Sequence, residues 1–267
     1  METNYAATQE PQAQHCYITN EIKVRYFCLA IKEDWTEDVV MFIRDNPTIV
    51  DVVYNKTTPF LVAIMTNKLH IVQMLLEANV DVNNPHCVTT PLVAAVLIGN
   101  IDLVTLLINH GACLDGTCQA GTSQDGTSQD GISKSRKCRD SNDLTAIHAA
   151  MEMDNQPITE LLLQHMTTID TSMMMCAVKS SPAILETVHQ FATRPSSKHH
   201  VEVNVDMLHV LQCAIKENCV YSVSKLVQSP LVGVAVLSDP SLMEYAIQHG
   251  NVSIMNVLGQ YGAEYCI

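Results

Sequence analysis

Short segments with the apolar periodicity of an α-helix recur along this chain of 267 residues. In the clearest of them, apolar residues stand at positions i, i+3 and i+4, which places them on one face of a helix. Two such segments carry the triplets Val72, Leu75, Leu76 and Val104, Leu107, Ile108. A shorter apolar segment precedes each one, and a turn-forming residue separates the two. The pattern therefore predicts pairs of α-helices joined by tight turns.

One alanine marks the same position in seven copies of this pattern, namely Ala30, Ala63, Ala95, Ala150, Ala177, Ala214 and Ala246. Four residues later each copy has a turn-former, which is Asp34, Asn67, Gly99, Asp154, Ser181, Asn218 or Gly250. Twelve residues after the alanine, six copies have a bulky apolar residue. The fifth has His189 there, with Val188 one position earlier, as a one-residue deletion would produce. The alanines are 33, 32, 55, 27, 37 and 32 residues apart, and recurrence at this period predicts a stacked helical array.

The small and the turn-forming residues have different physical roles. An alanine lets the first helix of a pair approach its neighbour closely. Gly or Asn four residues later adopts a left-handed backbone at little steric cost and ends that helix. We expect another left-handed residue at the end of the second helix, where the chain has Asn79, Gly111 and Gly262.

The best copies resemble ankyrin repeats. Residues 58–63 read Thr-Pro-Phe-Leu-Val-Ala and residues 90–95 read Thr-Pro-Leu-Val-Ala-Ala, while residues 145–150 read Thr-Ala-Ile-His-Ala-Ala. Thr is a natural helix N-cap, and Pro in the first turn is pre-organised for helix. The resemblance implies an all-α fold, an ankyrin-repeat solenoid of six to seven helix–turn–helix units. It also implies that His148 supports its turn by hydrogen bonds to the backbone.

The repeat pattern divides the chain into a polar N-terminal arm, residues 1–20, which we expect to be disordered, and a repeat domain, residues 21–267. The interval of 55 residues places a low-complexity insertion, residues 116–143, between the third and fourth copies. Its five residues Gly-Thr-Ser-Gln-Asp occur twice in succession, and such a tract buries too little apolar surface to fold alone. We expect a mobile loop, either a tolerated insertion or a binding element.

The insertion ends in a basic run that contains Lys134, Arg136, Lys137 and Arg139. The formal net charge of the chain is −13, so three interpretations stay open. The run is a nuclear-import or acidic-partner motif, a clamp that lies on the acidic repeats, or a solubilising charge cluster. Nucleic-acid binding by the repeats is disfavoured, because an acidic field repels phosphate.

The cysteines and histidines favour no cofactor. The ten cysteines are dispersed without a Cys-x-x-Cys pair, so we expect neither a disulfide framework nor a metal site. We expect the protein to reside in a reducing compartment. A zinc site built from Cys113, Cys118, Cys138 and His148 would have irregular spacing. Adjacent His199 and His200 are two ligands, too few for a structural site.

Neither a signal sequence nor an apolar run of about 18 residues is present, so we expect a cytoplasmic protein, with nuclear entry as an alternative, and no membrane insertion.

The absence of catalytic motifs and the resemblance together predict a protein-binding scaffold that is not an enzyme. We expect no small-molecule substrate. The partner would dock on the face formed by first helices and the finger loops between copies. The candidate contact residues are Val53, Tyr54, Asn55, Lys56, Asn84, His86 and Cys87, with Lys134, Arg136, Lys137 and Arg139 in the insertion. Tyr54 is the best single anchor, because an exposed aromatic gives much contact area.

Two classes of binder remain on the sequence alone. The first is a stoichiometric binder or inhibitor, similar in size to inhibitors of NF-κB and to short viral ankyrin proteins. The alternative is an adaptor that links a bound protein to other machinery, such as a ubiquitin ligase or a membrane channel. A third class, a fragment of a longer enzyme, is the least supported.

Overall fold

The computed structural model describes residues 11–84, 87, 89–114, 117–118, 136–137, 145–193, 202–249 and 251–262, with only the backbone of residues 11–19, 117–118 and 136–137. These ranges form 15 α-helices and four short strands. The chain divides into an N-terminal unit, Met1–Asp143, and a C-terminal unit, Leu144–Ile267. None of the described helices combines the length and the apolar character that a membrane span needs.

The N-terminal unit contains three helical hairpins. Its elements are α1 (Pro11–Glu33), α2 (Thr36–Asp45), a 3₁₀ helix (Pro47–Asp51), α3 (Pro59–Met65), α4 (Leu69–Glu77), α5 (Pro91–Ile98), α6 (Ile101–Asn109), β1 (Thr117–Cys118) and β2 (Arg136–Lys137). Successive first helices pack side by side, α1 on α3 and α3 on α5, and the second helix α2 packs on α4.

The C-terminal unit contains four hairpins in the same two-layer arrangement. Its elements are α7 (Ala146–Glu152), α8 (Gln156–His165), β3 (Thr168–Asp170), α9 (Thr171–Lys179), α10 (Pro182–Thr193), β4 (Glu202–Asn204), α11 (Met207–Lys216), α12 (Val220–Val227), α13 (Val234–Leu237), α14 (Pro240–Gln248) and α15 (Val252–Gln260). One layer packs in the order α7, α9, α11, α14, and the other in the order α8, α10, α12, α15.

The repeated alanines lie on the first helix of each hairpin, and all seven have a relative exposure of 0%. A methyl side chain at this position allows the close packing of neighbouring first helices. The bulky residue twelve positions later is fully buried in the best-formed copies, as at Leu75, Leu107 and Leu226. The predicted helix register is therefore confirmed where the structure describes it.

The turns close as the turn-forming residues predict. Asp34, Asn67, Asp154 and Asn218 have φ values of 65°, 57°, 52° and 56°, and Gly99 has 77°. In four hairpins the N–H of the residue five positions after the alanine donates to the alanine carbonyl: Trp35 to Ala30, Lys68 to Ala63, Asn155 to Ala150 and Cys219 to Ala214. This is the Schellman arrangement, which satisfies carbonyls at the end of the first helix. Asn79, Gly111 and Gly262 are also left-handed, at 59°, 80° and 97°.

The fifth hairpin lacks one residue in its turn. Its second helix, α10, begins at Pro182, five residues after Ala177, whereas the other second helices begin six residues after their alanines. Ser181 has no left-handed backbone and instead accepts a hydrogen bond from the Ile184 N–H with its hydroxyl, at 3.3 Å. The shift buries both Val188 and His189, so the predicted deletion is confirmed.

Polar side chains connect neighbouring hairpins at the turns. In each case the side chain of the left-handed turn residue accepts a hydrogen bond from a residue of the following hairpin, namely the N-cap of its second helix. The pairs are Asp34 with Lys68 Nζ at 3.0 Å, Asn67 with Asn100 Nδ2 at 2.7 Å, and Asn218 with Asn251. The turn residues therefore close their own hairpin and hold the next one.

Fingers in each unit connect to their neighbours through hydrogen bonds. In the N-terminal unit, the Asp51 carboxylate accepts from the Asp81 N–H at 2.8 Å, and the Asn83 side chain bonds the Gly111 carbonyl and the Cys113 N–H. In the C-terminal unit, β3 and β4 pair in parallel, with Thr168 opposite Glu202 and Asp170 opposite Asn204.

Two expectations about the N-terminal unit need correction. Helix α1 begins at Pro11, so half of the arm predicted to be disordered, residues 1–20, is helical. The repeat pattern, which begins later, gave no sign of this helical segment. Cys113 is disulfide-bonded, contrary to the expectation of free thiols. It therefore offers no thiolate to the zinc site considered above.

The ends of the predicted insertion, residues 116–143, are joined by an antiparallel pair. Thr117 lies opposite Lys137 and Cys118 opposite Arg136 in β1 and β2. The remainder of the insertion, including the predicted contact residues Lys134 and Arg139, lies outside the described residues.

Candidate functional site

Helix α1 has two apolar faces. Val24, Phe27 and Ile31 are fully buried against the rest of the N-terminal unit. Ile22 and Leu29, by contrast, are 59% and 43% exposed, although both are large apolar side chains. A first helix that only completes the stack needs one apolar face, so the second face is available for another contact.

A rigid finger stands beside this second face. Tyr54 and Thr57 exchange backbone hydrogen bonds, N to O at 2.8 Å in one direction and 3.0 Å in the other. The two residues between them, Asn55 and Lys56, have φ values of 51° and 59°. Positive φ at both central residues is the geometry of a type I′ turn, the tightest common connection of a β-hairpin. Lys rarely adopts this conformation, so the finger holds a strained residue at its tip.

The helix face and the finger together enclose a groove of about 590 Å³. Its lining residues are Ile22, Arg25, Tyr26, Cys28, Leu29, Lys32, Tyr54, Asn55, Thr57 and Val62. We call this site the α1–finger groove. Its volume lies within the range of about 300–1,000 Å³ that is typical of ligand clefts, so it accommodates several side chains of a bound segment.

Tyr26 is held at the groove by contacts on its far side. Its hydroxyl donates to the Asp38 carboxylate at 3.0 Å, and its ring centroid lies 5.4 Å from that of Phe42 and 6.1 Å from that of Trp35. The hydrogen bond to Asp38 raises the pKa of the Tyr26 hydroxyl above its ordinary value. The phenol therefore stays protonated, and the aromatic ring is a fixed part of the groove wall.

Two cations flank Tyr26 and Leu29 on α1. Arg25 and Lys32 are seven residues apart on the helix, which places them in line along one face, with Tyr26 and Leu29 between them. Both are exposed, and no carboxylate of the described residues forms an ion pair with either. The lining residues of the groove include no acidic side chain.

The structure brings some of the predicted contact residues to this groove. Tyr54 and Asn55 line it, while Val53 and Lys56 are exposed next to it on the same finger. Asn84 is half-buried at the following finger. His86 lies outside the described residues, and the side chains of Arg136 and Lys137 are likewise not described.

Cys87 is half-buried, and its thiol donates to the Thr58 hydroxyl with a separation of 3.8 Å. Burial raises the pKa of the Cys87 thiol. The side chain therefore stays a thiol that packs against the helix cap.

Sequence reasoning missed the α1 half of the groove. Ile22, Arg25, Tyr26, Leu29 and Lys32 follow the spacing i, i+3, i+4, i+7, i+10, which is one continuous stripe of a helix. The signal was present, but the repeat pattern drew attention to the other face of α1, which carries Phe27 and Ala30.

A second groove, of about 400 Å³, lies between α8 and α10 in the C-terminal unit. Its lining is mainly polar and includes Gln156, Glu160 and Gln190. Glu186, another of its lining residues, binds Lys225 at 2.9 Å, and this contact lowers the pKa of the Glu186 carboxyl. The groove offers few apolar contacts for a partner, so we regard it as the weaker candidate.

Two histidines of the C-terminal unit, His148 and His189, have structural partners. His148 Nδ1 lies 2.6 Å from the Thr145 hydroxyl, and its Nε2 lies 3.1 Å from the Ser172 hydroxyl. Both of these contacts are with side-chain hydroxyls. His189 Nε2 lies 2.7 Å from the hydroxyl of Ser229, and both side chains are buried. Because it is closed to solvent, we interpret this Ser–His pair as a packing element.

Comparison with known families identifies the hairpins of the N-terminal unit. Residues 27–123 match the family model described as ankyrin repeats, in three copies. This part of the chain consists of ankyrin repeats. The ankyrin match begins inside α1 and covers α2 to α6, so the finger and most of the α1–finger groove lie within it. No curated protein matches the chain.

Ankyrin repeats are in general modules for protein–protein interaction, and stacked repeats present extended binding surfaces. The all-α hairpins agree with this family.

Proposed function

We propose that this ankyrin protein is a non-catalytic scaffold that binds a partner protein as a stoichiometric binder or inhibitor, through the α1–finger groove. The observation that carries the proposal is the exposed apolar face of α1. Ile22, Tyr26 and Leu29 are 59%, 42% and 43% exposed on a helix whose opposite face already completes the stack. Contiguous exposed apolar surface of this kind marks interaction sites.

The groove also has the rigidity that favours binding. The finger is closed by two backbone hydrogen bonds, and Tyr26 is fixed by Asp38 and by two aromatic neighbours. A pre-organised site loses little conformational entropy when a partner docks. Tyr26 and Tyr54 supply the aromatic side chains that often dominate binding energy.

The test is quantitative affinity capture from cell lysate with wild type and with the double variant Ile22→Ser, Leu29→Ser. Both residues are exposed, so the variant should keep its fold, which circular dichroism and the melting temperature check. We expect partners of wild type to be lost from this variant, and Tyr54→Ala to weaken them. Light scattering of the purified complex should then give one partner for each chain.

The matched control is Val234→Ser, Val252→Ser, which removes two side chains that are 80% and 64% exposed in the C-terminal unit. A further variant replaces residues 116–143 with a short turn. If Ile22→Ser, Leu29→Ser still captures the partners but the variant without the insertion does not, recognition lies in the insertion, and the proposal for the groove is wrong.

A further inference from the structure

The charges of the α1–finger groove specify the chemistry of its occupant. We propose that the groove binds a short apolar segment of a partner protein that carries two carboxylates about 10 Å apart, one for Arg25 and one for Lys32. This inference rests on the proposed function, since it assumes that a protein segment enters the groove, and it adds which kind of segment.

The spacing follows from the helix. Arg25 and Lys32 are seven residues apart in α1, and each residue of an α-helix rises about 1.5 Å, so their Cα atoms are separated by about 10 Å. Tyr26 and Leu29 lie between them on the same stripe. Ile22 lies one turn before Arg25, so the order along the groove is one apolar contact, a cation, two apolar contacts and a cation. A bound segment in an extended conformation covers this distance in about three residues.

The occupant should be negatively charged, because Arg25 and Lys32 have no ion-pair partner of their own among the described residues. Neither is ion-paired within the described part of the chain, although the whole chain has a net charge of −13. Asp38, an acidic group that contacts the groove wall, accepts a hydrogen bond from the Tyr26 hydroxyl. An occupant without carboxylates would partly bury two cations without counter-charges, and a basic occupant would add repulsion. Carboxylates at both ends remove that cost.

The apolar surface of the groove decides against a purely ionic ligand. Ile22, Leu29 and the ring of Tyr26 offer exposed apolar surface, and burying such surface supplies the main favourable free energy. An acidic segment without large apolar side chains would leave this surface exposed to water. The groove therefore selects a segment in which large apolar residues stand between the acidic ones.

The experiment is selection of random twelve-residue peptides displayed on phage against the full chain, followed by fluorescence polarisation of the selected peptides. The charge variant is Arg25→Glu, Lys32→Glu. The matched control, Lys23→Glu, Arg44→Glu, makes the same change in net charge at two exposed cations outside the groove lining. The variant Ile22→Ser, Leu29→Ser reports whether a peptide occupies the groove.

We expect selected peptides to be acidic and apolar, to bind the charge variant at least about tenfold more weakly, and to bind the control as they bind wild type. Their affinity should also fall with added salt. Peptides that are lost from Ile22→Ser, Leu29→Ser but unaffected by Arg25→Glu, Lys32→Glu would overturn the acidic chemistry and leave the groove as the binding site. Enrichment of basic peptides, or of none that respond to either variant, would overturn the inference altogether.

A second copy of the chain is the competing occupant. Light scattering over a range of concentrations tests it. A dimer of wild type that is absent in Ile22→Ser, Leu29→Ser would show that a second copy of the chain occupies the groove, and it would overturn the inference of a partner segment.

Discussion

The two units bury different kinds of side chain in helices of the same arrangement. Among the described residues of the N-terminal unit, the buried polar side chain is Thr58, which caps α3. In the C-terminal unit the described buried polar side chains are Thr145, Thr159, Thr187, His189, Ser222 and Ser229. The family match ends at residue 123, before this unit begins, yet its hairpins keep the buried alanines, and Asp154 and Asn218 keep the left-handed turn.

The polar groups in the C-terminal unit are tolerated because each has a nearby acceptor or donor. Thr159 and Thr187 donate to carbonyls one turn back in their own helices, at 2.9 Å, and His189 pairs with Ser229. Buried polar groups cost little when they are hydrogen-bonded and much when they are not. The comparison teaches that buried alanines recur in the first helices of both units, whereas the described interior is almost entirely apolar in the N-terminal unit and partly hydrogen-bonded in the C-terminal unit.

The largest effect should come from cavities, and it should be equal in the two units. Leu107 and Leu226 occupy the same position in their hairpins and both have an exposure of 0%. We expect Leu107→Ala and Leu226→Ala each to lower the free energy of unfolding by about 2–5 kcal/mol, measured by urea denaturation. A wild-type denaturation midpoint for either variant would contradict the helix register in that unit.

A smaller effect should distinguish the C-terminal unit. Ser229→Ala removes the hydroxyl that partners His189 Nε2 and also accepts from the Leu231 N–H at 3.2 Å. Because a buried polar group then loses its partner, we expect the unfolding free energy to fall by about 1–3 kcal/mol.

Two further variants sharpen this prediction. Ser238→Ala, at an exposed serine, should leave the denaturation midpoint unchanged. His189→Leu combined with Ser229→Ala removes both polar partners, and it should recover part of the loss. If Ser229→Ala is neutral, the pair does not contribute to stability.

The helix caps should show a contrast of about 1 kcal/mol. The Thr90 hydroxyl accepts from the Val93 N–H at 3.2 Å, so Thr90→Ala should cost about 1 kcal/mol of unfolding free energy. Thr145 stands at the matching position, but its hydroxyl bonds His148 and does not cap α7. The variant His148→Ala should therefore lower stability in the wild-type background and have a smaller effect in Thr145→Ala, which a double-mutant cycle measures.

The smallest effect should be a pH dependence confined to the C-terminal unit. Burial lowers the pKa of His189, the Lys225 charge lowers it further, and the Glu186 charge opposes this. The unfolded chain, with an ordinary histidine pKa of about 6.5, then binds more protons than the folded one below that pH. Stability from this group is therefore present above pH of about 6.5 and is lost as the pH falls through the folded pKa. Thermal melts of wild type and His189→Gln between pH 8 and 5 test this, and parallel curves would contradict it.

The finger half of the candidate site could be predicted from the repeat pattern, whereas the α1 half could not. The finger residues Tyr54 and Asn55 were predicted because they follow the repeat register. The α1 stripe was not, because its spacing is as regular as that of the buried face, and periodicity alone does not say which of two apolar faces meets the next helix. The packing of α1 on α3 decided that Phe27 is buried and Leu29 exposed.

The sequence by itself determined the hairpin positions, because alanine spacing, Thr-Pro starts and left-handed turn residues act over a few residues. Even the missing residue before Pro182 could be predicted from the sequence, because a deletion shifts the apolar pattern by one position. Only the tertiary structure decided the polar partnerships that join distant residues, such as His189 with Ser229, 40 positions away. It also decided that a type I′ finger and the free face of α1 form one groove. Neither depends on local periodicity, because both follow from which surfaces are left uncovered when hairpins stack.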